Sequence, residues 1–123
     1  MQIIETILNE IPDKTTVTTA ELEQLRPLLT FTKASAEEAG LTLTHDKLLI
    51  IGIHLLAYMR RVRNNEYLPE LEESMFEEVT PELVELSKRV LSSYEAGAER
   101  KLDAAEIFYL TVHFEAAKFN EEE

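Results

Sequence analysis

A chain of 123 residues, 45% apolar and 29% charged, is long enough for one globular domain with a single core of ordinary size. Its net charge of −12, from 24 acidic against 12 basic residues, argues against direct binding of nucleic acid or anionic lipid, both of which are held chiefly by Lys and Arg. No cysteine is present, which removes a disulfide framework and any Cys-based zinc site and suits the cytoplasm. The start MQIIETILNE lacks the basic n-region of a secretory signal, and the longest apolar run, residues 48–53, is far short of the roughly 20 residues a bilayer span needs.

In chain order, Ile3, Ile4, Ile7 and Leu8 recur at helical spacing and predict a short helix over residues 1–9, ended by Pro12 and Asp13. Residues 14–19 are polar and β-branched, a connector, so residues 1–17 form an N-terminal appendage to the main domain, 18–119. Thr18 with Glu21 is a capping box, and Leu22, Leu25, Leu28 and Leu29 form the buried stripe of the helix it starts. Pro27 is expected to kink or split that helix, and Gly40 to close it. A second long helix runs from Thr44 to about Arg63, crowded with apolar residues around His54. Arg60, Arg61 and Arg63 complement the negative end of its dipole, and Asn64 and Asn65 can close it. Pro69 is expected to open a short helix over residues 69–78. Thr80-Pro81 starts another, with Leu83, Leu86, Val90 and Leu91 facing the core and Ser92, Ser93 and Gly97 weakening its end.

After a polar connector at residues 98–101, the segment LDAAEIFYLTVHFEAAKF, residues 102–119, is the most distinctive in the chain. Asp103 can cap a helix there, and Glu106 can reach back to the cap's own N–H. Beyond the cap the helix is apolar nearly all round, which predicts a central position with neighbours on several sides. Residues 120–123 form an acidic tail, expected to fray. Helical periodicity throughout and the lack of strand alternation predict an all-α fold, a compact bundle of four to five helices.

Candidate chemistry centres on the histidines. His45 sits among polar neighbours at a helix start and is expected at the surface. His54 and His113 are each embedded in the most apolar part of a helix. Such a ring can be a satisfied core residue, bonded to a carbonyl or carboxylate. A helical metal site would need partners at Glu-x-x-His or His-x-x-x-His spacing, and Leu110 and Ile51 stand three residues before the two histidines instead. The serines lie on polar helix faces and Gly40, Gly52 and Gly97 are too scattered for a phosphate loop, so no enzyme, metal or cofactor signature is present.

Two segments carry a family likeness. Residues 51–61, IGIHLLAYMRR, place His54 before apolar and then basic residues. Residues 102–113, LDAAEIFYLTVH, place Glu106 seven positions before His113. Both resemble the histidine motifs of the PTS regulation domain (PRD), over roughly residues 18–118. The resemblance implies a helical, often dimeric module of bacterial antiterminators and transcriptional activators. In such modules the histidines at the positions of His54 and His113 accept a phosphoryl group from the phosphocarrier HPr or from a sugar-specific EIIB protein, with Asp103 and Glu106 in support. It further implies a homodimer, a regulatory rather than catalytic role, and output through contacts with a protein target. Ile53 stands where an aspartate commonly precedes the first histidine, so His113 is the acceptor expected to be the better of the two. Phe108 stands where a small residue is common. Family members usually carry an RNA-binding or helix-turn-helix domain, for which 123 residues leave no room.

Overall fold

The computed structural model describes residues 2–94 and 103–122, and the described residues are helices and their connections without a strand. The expected connector at 98–101, with Gly97 and Leu102, lies outside them, as do Met1 and Glu123. In chain order the helices are α1 (Gln2–Lys14), α2 (Thr19–Glu38), α3 (His45–Arg63), a 3-10 helix (Glu73–Glu78), α4 (Pro81–Ser92) and α5 (Ala104–Glu122).

Local chemistry accounts for the helix ends. Thr18 and Glu21 form the full capping box at the start of α2, each side chain bonded to the other's backbone N–H. The end of α2 is a Schellman turn: Leu41 N–H bonds Ala36 O and Gly40 N–H bonds Glu37 O, with Gly40 at φ 84°. The end of α3 repeats the motif with Glu66 N–H on Arg61 O, Asn65 N–H on Val62 O and Asn65 at φ 55°. Thr44 caps α3 through the N–H of Lys47.

Two prolines do less than expected. Pro12 lies inside α1 and Pro27 inside α2, and neither ends nor splits its helix. Both proline rings are exposed, and at Pro27 the carbonyl that loses its partner is that of Glu23, itself exposed and able to turn to water. Residues 69–72, by contrast, are not helical, and only the 3-10 helix forms, with Phe76 packed edge-on against Phe108 of α5 at 5.6 Å. That contact also explains how a large side chain fits at position 108.

The centre of the bundle is α3, not α5. It packs against α1, α2 and α5, and it buries Leu48, Ile51, Leu55, Leu56, Tyr58 and Met59. Gly52 faces α1 and α2, and a Cβ there would stand in ordinary contact, 3.5 Å from Ile11 and 3.6 Å from Ile7 and Leu29. Helix α1 shares this core through Ile4, Ile7, Leu8 and Ile11. Helix α5 packs on α3 and α4 and leaves Tyr109 and Val112 exposed, so its apolar surface is only partly covered. A hydroxyl pair, Ser87 with Thr111 at 2.8 Å, and a hydrogen bond from Thr80 N–H to the side-chain Oε1 of Glu115 tie α4 to α5. The expected tail is helical through Glu122, since nothing in residues 120–122 breaks the turn.

Candidate functional site

The site lies where α3 and α5 run side by side in opposite directions. Arg61 of α3 meets Glu106 of α5, and two turns away along both helices His54 meets His113. His54 and His113 pack edge to face with ring centroids 5.1 Å apart and an angle of 66° between planes. The structure therefore brings together both histidines that the sequence singles out. It also shows why they sit in apolar runs, since each completes the packing between the two helices.

Glu106 is fully buried and accepts from Arg61 twice, from Nε and from Nη2, the latter at 2.7 Å. Burial explains the arrangement: a carboxylate out of water needs a cation with matching geometry, and the guanidinium fork supplies it. The expected return bond of Glu106 to its own helix cap gives way to this pairing. Oε1 of the same carboxylate lies 3.9 Å from His54 Nε2, too far for a hydrogen bond. Nε2 is itself sealed from solvent and has no hydrogen-bond partner. The 14% of the His54 side chain that remains exposed therefore belongs to its other atoms.

Both rings are held neutral. Burial, together with the neighbouring His113 and Arg61, pushes His54 down to about 4. Burial and the charge of Lys47 lower His113 as well. A neutral imidazole keeps a lone pair on one nitrogen and can act as a nucleophile near neutral pH.

The other candidates fall into place around the pair. Asp103 caps α5 through Oδ1, bonded to Ala105 N–H at 3.0 Å, and its Oδ2 accepts from Leu68 N–H at 2.9 Å. It thus anchors the loop after α3 to the start of α5. His45 is exposed and lies between Glu10 and Asp46, which raise its pKa, Glu10 foremost. It ties α1 to α3 and stands apart from the pair. Sequence reasoning missed the pairing of Arg61 with Glu106, having read Arg61 as a dipole partner and as part of the basic end of the first motif. It also missed that Glu21 is a buried carboxylate gripped by Arg60 and Arg63, held well below the usual carboxylate range. One signal for the first was available: Arg61 follows His54 by seven residues and Glu106 precedes His113 by seven, a mirrored spacing that antiparallel helices turn into two adjacent contacts. Among the described residues no group of three or more His, Asp or Glu side chains could hold a metal ion. No helix among them is long and apolar enough to cross a membrane.

The family model of the PRD domain matches residues 30–117, well over half of the chain. The chain belongs to the PRD family. PRD domains are typical of transcription regulators linked to the sugar phosphotransferase system. The fold agrees with a solved structure, the crystal structure of a PRD-containing transcription regulator from Lactobacillus casei. That structure superimposes with a TM-score of 0.75 at 24% identity, over 93% of this chain and 94% of that one. Comparison with curated proteins gives no match. The PRD match spans both histidines, Arg61 and Glu106, so the paired site lies inside the family's domain.

Proposed function

We propose that this PRD is a phosphorylation-sensitive regulatory domain in which His54 and His113 are the phosphoacceptors and HPr or an EIIB protein is the donor. The observation that carries this reading is the His54–His113 pair itself, two neutral imidazoles in contact between α3 and α5. Transfer would form a P–N bond to the acceptor ring as the donor's own bond to phosphorus breaks and its electron pair returns to the donor. The product places close to two negative charges in a partly buried contact between two helices. Such a charge must alter the packing there, which is how a covalent mark becomes a change of shape or association.

The output is proposed to run through protein contacts rather than direct nucleic-acid binding, given the net charge of −12. A second copy of the chain is the proposed first partner. Ile50 stands one turn from His54 on α3, Tyr109 and Val112 flank His113 on α5, and all three apolar side chains are exposed.

Incubation with phosphoenolpyruvate, enzyme I and HPr, with an EIIB protein added in a second series, tests the reading. Acid-labile label is expected on the wild type, reduced in His54→Ala and in His113→Ala and lost in the double variant. Label that persists in the double variant, or no label with any donor, overturns it.

A further inference from the structure

We infer that Glu106, reaching across from α5, is the positioning residue for phosphorylation of His54, fixing its ring so that Nδ1 is the nitrogen that receives the phosphoryl group. The inference rests on the phosphoacceptor reading and deepens it. Its starting point is an anomaly: His54 Nε2 is buried with no hydrogen-bond partner, an arrangement that costs a polar atom its solvation without return. The polar atom that faces it is Glu106 Oε1 at 3.9 Å, about 1 Å beyond hydrogen-bond reach. A small rotation of the ring or the carboxylate closes that gap.

The chemistry follows from the tautomer. A carboxylate beside Nε2 favours the ring with its proton on Nε2, which leaves the lone pair on Nδ1. Nε2 is closed to solvent and therefore to any donor, whereas the 14% of the side chain that stays exposed belongs to its other atoms, which leaves Nδ1 as the ring nitrogen a donor can reach. In the transfer, the Nδ1 lone pair forms the new P–N bond, and the donor's bond to phosphorus breaks with its electron pair returning to the donor atom. The Nε2 proton stays in place throughout. The acceptor ring thereby changes from a neutral imidazole to a phosphorylated imidazolium, and the positive charge that develops is shared with Nε2–H, directly opposite Glu106. A fixed carboxylate opposite a developing cation lowers the barrier.

Arg61 has a second part in this arrangement. While Glu106 is held by two bonds from Arg61, its charge is compensated and the buried carboxylate is tolerable. As His54 becomes cationic, Glu106 can share its charge between the two, and Arg61 needs to move little. The family likeness assigns Glu106 to the histidine of its own helix and gives His54 no acidic neighbour, with Ile53 preceding it. Across the helix pair, the neighbour is there.

The test uses the full chain carrying His113→Ala, so that His54 alone accepts, labelled with nitrogen-15 in histidine. Nitrogen chemical shifts should show His54 as the Nε2–H tautomer, and Glu106→Gln should remove that bias while circular dichroism shows the fold intact. Phosphoramidate, a small donor that needs no protein recognition, should place phosphorus on Nδ1, read from phosphorus–nitrogen coupling. The rate should fall tenfold or more in Glu106→Gln and recover in part in Glu106→Asp. Should Glu106→Gln not fold, the tautomer and the site of the phosphorus in the His113→Ala protein still decide. A proton on Nδ1, phosphorus on Nε2, or equal rates with and without Glu106 overturns this inference alone. No label in the His113→Ala protein from phosphoramidate or from any protein donor overturns His54 as an acceptor, and the same result in the wild type overturns the phosphoacceptor reading as a whole.

Discussion

His54 is a weak base because of where it is, and that has a consequence for stability that can be read as a function of pH. The ordinary histidine value is about 6.5 in an unfolded chain, whereas burial, His113 and Arg61 push His54 down to about 4 in the fold. Between those two values the unfolded chain binds the proton that the native state refuses, so stability falls as pH falls from 6.5 towards 4. For His54 alone the loss between pH 7 and pH 5 is about 2 kcal/mol, and His113, shifted in the same direction, adds to it. Glu21 acts lower down: its depressed pKa supplies stability above the ordinary carboxylate value that is lost only as pH drops below it. His45 acts in the opposite sense, since its raised pKa adds stability at low pH that disappears as pH rises through the folded value. Urea denaturation from pH 7 to pH 5 should therefore show a steep acid-side loss in the wild type and a shallower one in His54→Gln. Equal slopes would mean that His54 is not the group refusing the proton. The local sequence could show that His54 and His113 were the residues to watch, because a titratable ring in an unbroken apolar run is unusual. It could not show Glu106 against His54, since that contact depends on how two helices distant in the chain are laid together.

At the scale of the helix, the signals that proved reliable are those whose physics is local. Thr18 and Glu21 satisfy each other's backbone within one turn, and Gly40 takes up a positive φ that few other residues tolerate. The misread elements depend on surroundings. Pro12 and Pro27 are harmless because they face solvent, and residues 69–72 lack a helix despite a favourable proline because few apolar side chains there reach the core. The apolar character of α5 suggested a central helix, yet α3 holds that place and α5 keeps an open side at Tyr109 and Val112. Gly52, inside α3, yields a prediction of its own. A methyl group there would make ordinary contacts of 3.5 Å with Ile11 and 3.6 Å with Ile7 and Leu29, so nothing has to move. Glycine in a helix interior costs about 0.5–1 kcal/mol relative to alanine. Gly52→Ala should accordingly raise the unfolding free energy by about that amount. Gly40→Ala should lower it by about 1 kcal/mol, because φ 84° strains any side chain that carries a Cβ. Denaturant midpoints measured at constant slope check both, and a destabilised Gly52→Ala would show α1 and α2 packed more tightly on α3 than these distances allow.

For the molecule as a whole, the question is what the open side of α5 meets. Ile50, Tyr109 and Val112 are each 40–44% exposed and border the histidine pair, which suits a patch that a second copy covers across a two-fold axis. In that arrangement each protomer brings its own His113 towards its partner's, in molecules that each carry a net charge of −12. Added negative charge at position 113 then meets like charge and loses solvation at once, and both effects oppose association. Lys47 provides one local counter-charge, close enough to lower the pKa of His113. Arg61 is already committed to Glu106. The repulsion is therefore expected to prevail. Sedimentation across a concentration series should show His113→Asp dimerising about tenfold more weakly than wild type, with His113→Asn, the same shape without the charge, close to wild type. Because the Debye length shrinks from about 10 Å at 0.1 M salt to about 3 Å at 1 M, high salt should close much of the gap between Asp and Asn. If both variants match wild type, His113 does not control assembly. If both are equally weakened and salt changes neither, the side chain acts through its packing rather than through charge.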